Sequence, residues 1–279
     1  MSIFAQMAVD YHFFNFEGAR LGYQKSGTGS SALLIFHGFG QDHTSFSPMT
    51  EALAGHYTIY SFDLFFHGQS VWPFDDHPLT KNQWNRIIST FLSDLEIDRF
   101  NLMGYSLGGK FVLATLETLS SRVDSVFLLA PDGIHLNLWY RLATGTRLMR
   151  STLKSMIYKP GLFTGTASLA TRLGLVDKGI ARFANTQMDS LEKRQRVYLS
   201  WVVFRKLAFD MKHIARLMNA NTIKTSFFIG RFDKMITEKS IKPLHTKLKN
   251  SKLKILESGH TTLISHTAKE FRNIAPEKP

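Results

Sequence analysis

Gly104-Tyr105-Ser106-Leu107-Gly108 constrains the fold of this chain more than any other segment. Phe100-Asn101-Leu102-Met103 before it reads as a short buried strand, and Lys110 to Leu116 after it reads as a helix. A strand that turns directly into a helix around a serine, with glycine two residues to either side, has the pattern of a nucleophile elbow. The sharp turn pushes the hydroxyl clear of the sheet. The small residues allow strand and helix to approach closely there. A pair of glycines flanking a serine is weak evidence alone; the strand and helix around it make it specific.

The rest of the chain supplies the sheet that such an elbow needs. Tyr11 to Phe16 and Arg20 to Lys25 read as two strands joined by a turn at Glu17-Gly18. Ala32 to Phe36, Tyr57 to Phe62 and Ser125 to Ala130 are continuous apolar runs, as in strands buried on both faces. Thr225 to Ile229 and Lys252 to Leu256 complete the set. Helices are predicted over Phe46 to Leu53, Lys81 to Leu95, Glu238 to Leu248 and from near His260 to Ile274. In the second of these, Trp84, Ile87, Ile88, Phe91, Leu92 and Leu95 fall on one face. Strands alternating with helices predict an α/β fold, a mostly parallel sheet with helices on both faces. After Ile134 the pattern becomes helical with no convincing strand. The simplest division is a core of residues 1–133 and 223–279, with residues 134–222 inserted as a helical cap over the carboxyl ends of the strands.

A serine hydroxyl needs a base, and the base needs a carboxylate to orient it. In this arrangement the chain order is Ser, then Asp or Glu, then His. Asp233, in Gly230-Arg231-Phe232-Asp233, follows one strand; His260, in Ser258-Gly259-His260, follows the next. Both therefore lie at the same sheet edge as Ser106. Asp132, in Ala130-Pro131-Asp132-Gly133, also follows a strand and is the alternative acid; Asp233 is preferred. His266 lies within the last helix and reads as structural. An oxyanion needs two converging N–H donors. The backbone amides of Leu107 and of Phe39, in His37-Gly38-Phe39-Gly40, are the candidates. Phe39, Phe65, Phe66 and Tyr105 are the candidate pocket lining.

Taken together, His37-Gly38-Phe39-Gly40, Asp63-Leu64-Phe65-Phe66-His67-Gly68-Gln69-Ser70, the elbow with Gly109, Gly230 to Asp233 and Gly259-His260 resemble the α/β-hydrolase superfamily over nearly the whole length. One piece departs from the common D-x-P-G-H-G-x-S form, with Phe65 and Phe66 in place of Pro-Gly. Serine at the elbow argues against the haloalkane dehalogenase and epoxide hydrolase relatives, which use Asp. The resemblance implies acyl-type chemistry on an ester, thioester or similar carbonyl substrate, with no cofactor and no metal, and the aromatic lining candidates add the expectation of an apolar acyl or aryl part. Two alternatives remain open. One is a cofactor-free lyase or carbon–carbon hydrolase on the same scaffold. The other is a non-catalytic ligand or membrane binder that keeps the triad.

With no Cys, disulfides and thiolate chemistry are excluded. The first ten residues have no basic n-region and are too short for a signal sequence, and no run of 18 apolar residues occurs; a cytoplasmic protein is the expectation. Net charge is +12. Residues 134–222 hold 15 Lys and Arg against 4 Asp and Glu, leaving 19 against 18 elsewhere, so the excess belongs to the insertion. Within it, Leu142, Met149, Leu153, Met156 and Ile157 are expected to cover the pocket while Arg141, Arg147, Arg150 and Lys154 face water. The second reading of that charge is attraction of an anionic or lipid-like substrate, or contact with a membrane surface. Nucleic-acid binding is not expected, since no recognition motif accompanies the cations.

Overall fold

The computed structural model describes residues 10–135, 138–159, 161 and 185–274. Eight strands form one sheet: β1 (Tyr11–Phe16), β2 (Ala19–Ser26), β3 (Ser31–Phe36), β4 (Tyr57–Phe62), β5 (Phe100–Tyr105), β6 (Val123–Leu129), β7 (Lys224–Gly230) and β8 (Ser251–Leu256). Their order is β1-β2-β4-β3-β5-β6-β7-β8. β1 and β2 form an antiparallel hairpin, β2 meets β4 antiparallel, and every pairing from β4 to β8 is parallel. The hairpin turns at Glu17 and Gly18, both at positive φ (48° and 83°), which matches the twist of the flanking strands. The chain runs from β3 outward to β4 and returns to β5 on the other side of β3. The loops leaving β3 and β5 therefore part at adjacent carboxyl ends, where open α/β sheets form crevices.

Among the described residues the helices are α1 (Ser47–Leu53), α2 (Lys81–Asp94), α3 (Gly108–Leu119), α4 (Leu138–Gly145), α5 (Arg147–Tyr158), α6 (Leu191–Val203), α7 (Met211–Ala220), α8 (Glu238–His245) and α9 (Leu263–Ile274). α2 starts on a capping box, Thr80 accepting from the Gln83 amide and Gln83 from the Thr80 amide. Trp84, Ile87, Ile88, Phe91 and Leu92 of α2 are buried, each contributing about 1.5–3 kcal/mol by leaving water. Leu95 is not among them; it caps the helix and is exposed. Phe36 of β3 stacks on Phe62 of β4 and meets Trp84 edge-on, and Trp84 meets Phe111 of α3. The Trp84 indole N–H, buried with them, donates to the Thr115 hydroxyl at 3.0 Å. α1 and α9 pack together.

Several boundaries differ from the sequence expectation. A 3-10 turn, His43–Phe46, precedes α1, which starts at Ser47 ahead of Pro48. α8 ends at His245 rather than Leu248: the Lys247 and Leu248 amides donate to Leu244 O and His245 O, three residues back, so the chain leaves through turns. α9 starts at Leu263, three residues past His260.

Between β6 and β7 the described residues are helical, with no strand. Ile157 of α5 and Tyr198 and Val202 of α6 form a small apolar cluster of their own. The 3-10 turn Phe204–Lys206 ties this segment to the sheet: Phe204 packs on Phe66 and Phe111. Val203 O accepts from Leu79 N at 2.9 Å. The expected apolar face is only partly inward. Ile157 is buried and Leu153 half-buried, but Leu142 is 53% exposed and Met149 40% exposed, because Gly145 and Thr146 break the stretch into two helices with separate faces. The Met156 side chain and most of residues 160–184 lie outside the described residues.

Candidate active site

Ser106 stands immediately after β5 with φ +49°, a left-handed conformation uncommon for a residue with a side chain. The surroundings hold it there. Its N–H donates to Leu129 O at 3.0 Å, and its carbonyl accepts from Gly109 N at 2.9 Å and Asp132 N at 2.8 Å. The glycines of the elbow are required by contact. A Cβ on Gly108 would lie 2.0 Å from Phe36 O, and one on Gly104 would lie 2.7 Å from Val112 Cγ2.

Asp233 and His260 come from the loops after β7 and β8. These loops are stitched together by Arg231 N–H to Leu256 O at 2.8 Å and Phe232 N–H to Ser258 O at 3.0 Å. Asp233 is buried; its Oδ1 accepts the amides of Met235 (2.7 Å) and Ile236 (2.9 Å). Its Oδ2 lies 2.6 Å from His260 Nδ1, and His260 Nε2 lies 3.1 Å from Ser106 Oγ. A carboxylate already taking two amide donors acts as an acceptor, so Nδ1 carries the proton and donates to it. Nε2 is then left to accept from the serine hydroxyl. Ser106, His260 and Asp233 thus form one connected chain of hydrogen bonds.

Asp132, the alternative acid, does not reach His260. Its Oδ2 pairs with Lys110 Nζ at 3.0 Å and its Oδ1 accepts from Gly133 N. Burial alone would lower the Lys110 pKa, but Asp132 and the Tyr140 ring, 4.2 Å from the ammonium, outweigh it and raise it. His266 turns its Nδ1 to Thr262 O, 2.9 Å away, in the turn that leads into its own helix.

The Phe39 and Leu107 amides lie on loops leaving adjacent strands, β3 and β5. Among the described residues neither N–H has a hydrogen-bond partner. The Phe39 loop is fixed by two buried histidines. His37 Nε2 accepts from Leu64 N at 2.9 Å while its Nδ1–H donates to Gly38 O at 2.7 Å. His67 Nε2 accepts from Gly40 N at 3.0 Å while its Nδ1–H donates to Phe65 O at 3.0 Å. Both roles need neutral rings. Burial pushes His37 down to about 4, and burial reinforced by the neighbouring His37 pushes His67 down to about 3. Asp63, fully buried beside them, would be raised by burial. Hydrogen bonds from His43 and Tyr11 overcome this and hold it down to about 2.

The four lining candidates divide. Phe39 and Phe66 are half-buried, Phe39 edge-on to His67 and Phe66 against Phe204. Phe65 is fully buried in the core with its ring on Trp72. Tyr105 is buried; its hydroxyl donates to His260 O at 2.8 Å and its ring lies 5.0 Å from the imidazole. Tyr105 thus bears on the histidine, a contact across 155 residues that local spacing does not encode. Phe66 replaces glycine of the common motif yet keeps a glycine-like φ of +69°. Gln187, between β6 and β7, also approaches the Phe39 loop: a Cβ on Gly40 would stand 3.1 Å from its Oε1. Among the described residues no cluster of three or more His, Asp or Glu could hold a metal ion, and no helix is long and apolar enough to cross a membrane.

Known proteins share this architecture. The chain is 31% identical over 126 residues to the dihydrolipoyllysine-residue acetyltransferase component of the acetoin cleaving system of Cupriavidus necator, a match spanning 45% of this chain and a third (33%) of that protein. Its fold is similar to a hydrolase from Pseudomonas aeruginosa PA01, with TM-score 0.67 and 18% identity over 95% of this chain and 97% of that one. It is also similar to a thermophilic esterase from Thermogutta terrifontis, with TM-score 0.67 and 16% identity over 95% of each. The family described as alpha/beta hydrolase fold matches residues 31–267, a span that takes in the elbow, the Phe39 loop, Asp233 and His260. The chain therefore belongs to the alpha/beta hydrolase fold family.

Proposed function

We propose that the protein is a serine hydrolase acting on an ester, thioester or similar carbonyl substrate with an apolar acyl or aryl part. The observation that carries this reading is the position of His260, with Ser106 Oγ 3.1 Å from one ring nitrogen and Asp233 Oδ2 2.6 Å from the other. Ser106 Oγ attacks the carbonyl carbon as its proton passes to His260 Nε2. Asp233 keeps the imidazole in the right tautomer and stabilises the imidazolium. The Phe39 and Leu107 amides hold the oxyanion. On collapse the leaving group takes the proton from His260. Water then attacks the acyl-serine, gives its proton to His260, and Ser106 leaves reprotonated. Residues 134–222 act as a cap, and Phe39, Phe66 and Phe204 supply apolar wall for the acyl or aryl part.

Hydrolysis of short p-nitrophenyl esters tests the reading. Ser106→Ala is expected to lose activity by about 10⁶-fold in kcat with an unchanged melting temperature. An active Ser106→Ala protein would exclude the mechanism.

A further inference from the structure

The cations of residues 134–222 are not evenly paired. On α6, Arg196 pairs with Glu192 and Lys193 with Asp189, and Arg194 donates to the Ile157 and Met188 carbonyls. A groove of about 390 Å³, where this segment meets the loop before α2, behaves differently. One wall is α5, where Arg147, Arg150 and Lys154 recur at i, i+3 and i+7 and so share a helical face. The opposite wall carries Arg205 and Tyr198, and Asp76 contributes the one acidic side chain. Four cations thus face one carboxylate, and that carboxylate already accepts the Tyr198 hydroxyl at 2.8 Å. Among the described residues none of the four cations takes part in an ion pair.

The two half-buried arginines are also pre-positioned. Arg150 Nη1 donates to Thr144 O at 2.9 Å and Gly145 O at 3.3 Å. Arg205 Nη1 donates to Asp76 O at 3.3 Å and to Val202 O. One nitrogen of each guanidinium is anchored on backbone, which fixes the plane and leaves the remaining N–H groups to a ligand. Burial, and then the charge of Arg150, lowers the Arg205 pKa, a repulsion that an anion between them would relieve.

We propose that this groove is a binding site for a phosphate group, gripped by Arg150 and Arg205 and closed by Arg147 and Lys154. Fixed guanidinium forks match the oxygens of a tetrahedral anion bidentately, and two more cations balance a dianion. The site is separate from Ser106, and it holds whether or not Ser106 is a nucleophile. It shares a turn with the apolar wall: Phe204 packs inward on Phe66, and Arg205, the next residue, lines the groove.

The test is binding by the full chain, at constant ionic strength, of inorganic phosphate (calorimetry) and of phosphatidylcholine vesicles with and without phosphatidic acid (co-sedimentation). Saturable phosphate binding, or vesicle binding that requires phosphatidic acid, is expected. It should weaken about tenfold or more in Arg150→Gln/Arg205→Gln. It should stay unchanged in Lys239→Gln/Lys252→Gln, which removes the same charge elsewhere. Lys154→Gln, at an exposed side chain, repeats the comparison should the double variant fail to fold. Binding of inorganic phosphate identifies a soluble phosphate ester as the source, and binding only to phosphatidic acid vesicles identifies a lipid headgroup. No saturable binding in either arm would overturn the site, as would equal weakening in the Lys239/Lys252 control.

Discussion

A carboxylate can orient an imidazole only if it is itself held in place. Asp233 is so held, with two amides on one oxygen and His260 on the other. Asp132 is engaged with Lys110 instead. The two aspartates therefore predict different phenotypes. Asp233→Asn should lower kcat by about 10⁴-fold by favouring the wrong tautomer, with the fold kept. Asp132→Asn should leave kcat far less affected and lower stability by about 1–3 kcal/mol, because Lys110 is left buried without its partner. Ester kinetics and urea denaturation of the two variants separate the cases. At this scale the sequence is most readable where a residue sits in a short motif at a strand end, as Ser106, Asp233 and His260 do. It is least readable where the partner is distant. Tyr105 reads as pocket lining, and its hydroxyl is instead taken by the backbone of His260, 155 residues away.

Elements make the site by being tied to one another, and the ties between the loops after β3 and β4 are pH-sensitive. His37 and His67 hold the Phe39 loop to the Asp63–Gly68 loop only as neutral rings. Their ordinary value is 6.5; in the folded chain they lie at about 4 and about 3. The unfolded chain therefore binds protons first as pH falls. Stability is full above 6.5 and declines as pH drops from 6.5 toward 4, by up to ~1.4 kcal/mol per pH unit per histidine. Asp63, held to about 2, adds its own loss below the ordinary carboxylate range. His43, whose pKa its hydrogen bond to Asp63 raises, works the other way and loses its contribution as pH rises past its folded value. Melting temperature should fall between about pH 7 and pH 5, and His67→Gln, which still offers Gly40 N an acceptor, should flatten that slope. An unchanged slope would remove His67 from the account. Apolar runs made the parallel strands legible, and one-faced periodicity made α2 legible. These cross-links were not, since nothing in His37-Gly38-Phe39-Gly40 says that its partners lie in Asp63 to Gly68. The break between α4 and α5 was also missed, because Leu142 and Met149 fit one helical period although two helices carry them.

Across the whole molecule, charge and chemistry are divided between two parts of the chain. The excess of Lys and Arg lies in residues 134–222, while the serine, aspartate and histidine lie on loops at the strand ends of the sheet. A field of one sign close to a cleft raises the encounter rate of oppositely charged substrates and is screened by salt over about 10 Å at 0.1 M. For an anionic ester, kcat/KM should fall as ionic strength rises, and for a neutral ester of the same acyl group it should not; equal salt dependence would dissociate the charge of residues 134–222 from substrate capture. In the proposed mechanism three loops from separate parts of the sequence act as one proton relay, and a fluorophosphonate probe tests this most directly. Mass spectrometry of the labelled protein should place a single adduct on Ser106, with the labelling rate falling by about 10³-fold or more in His260→Gln. An adduct elsewhere, or labelling of Ser106 at the same rate without His260, would contradict the account.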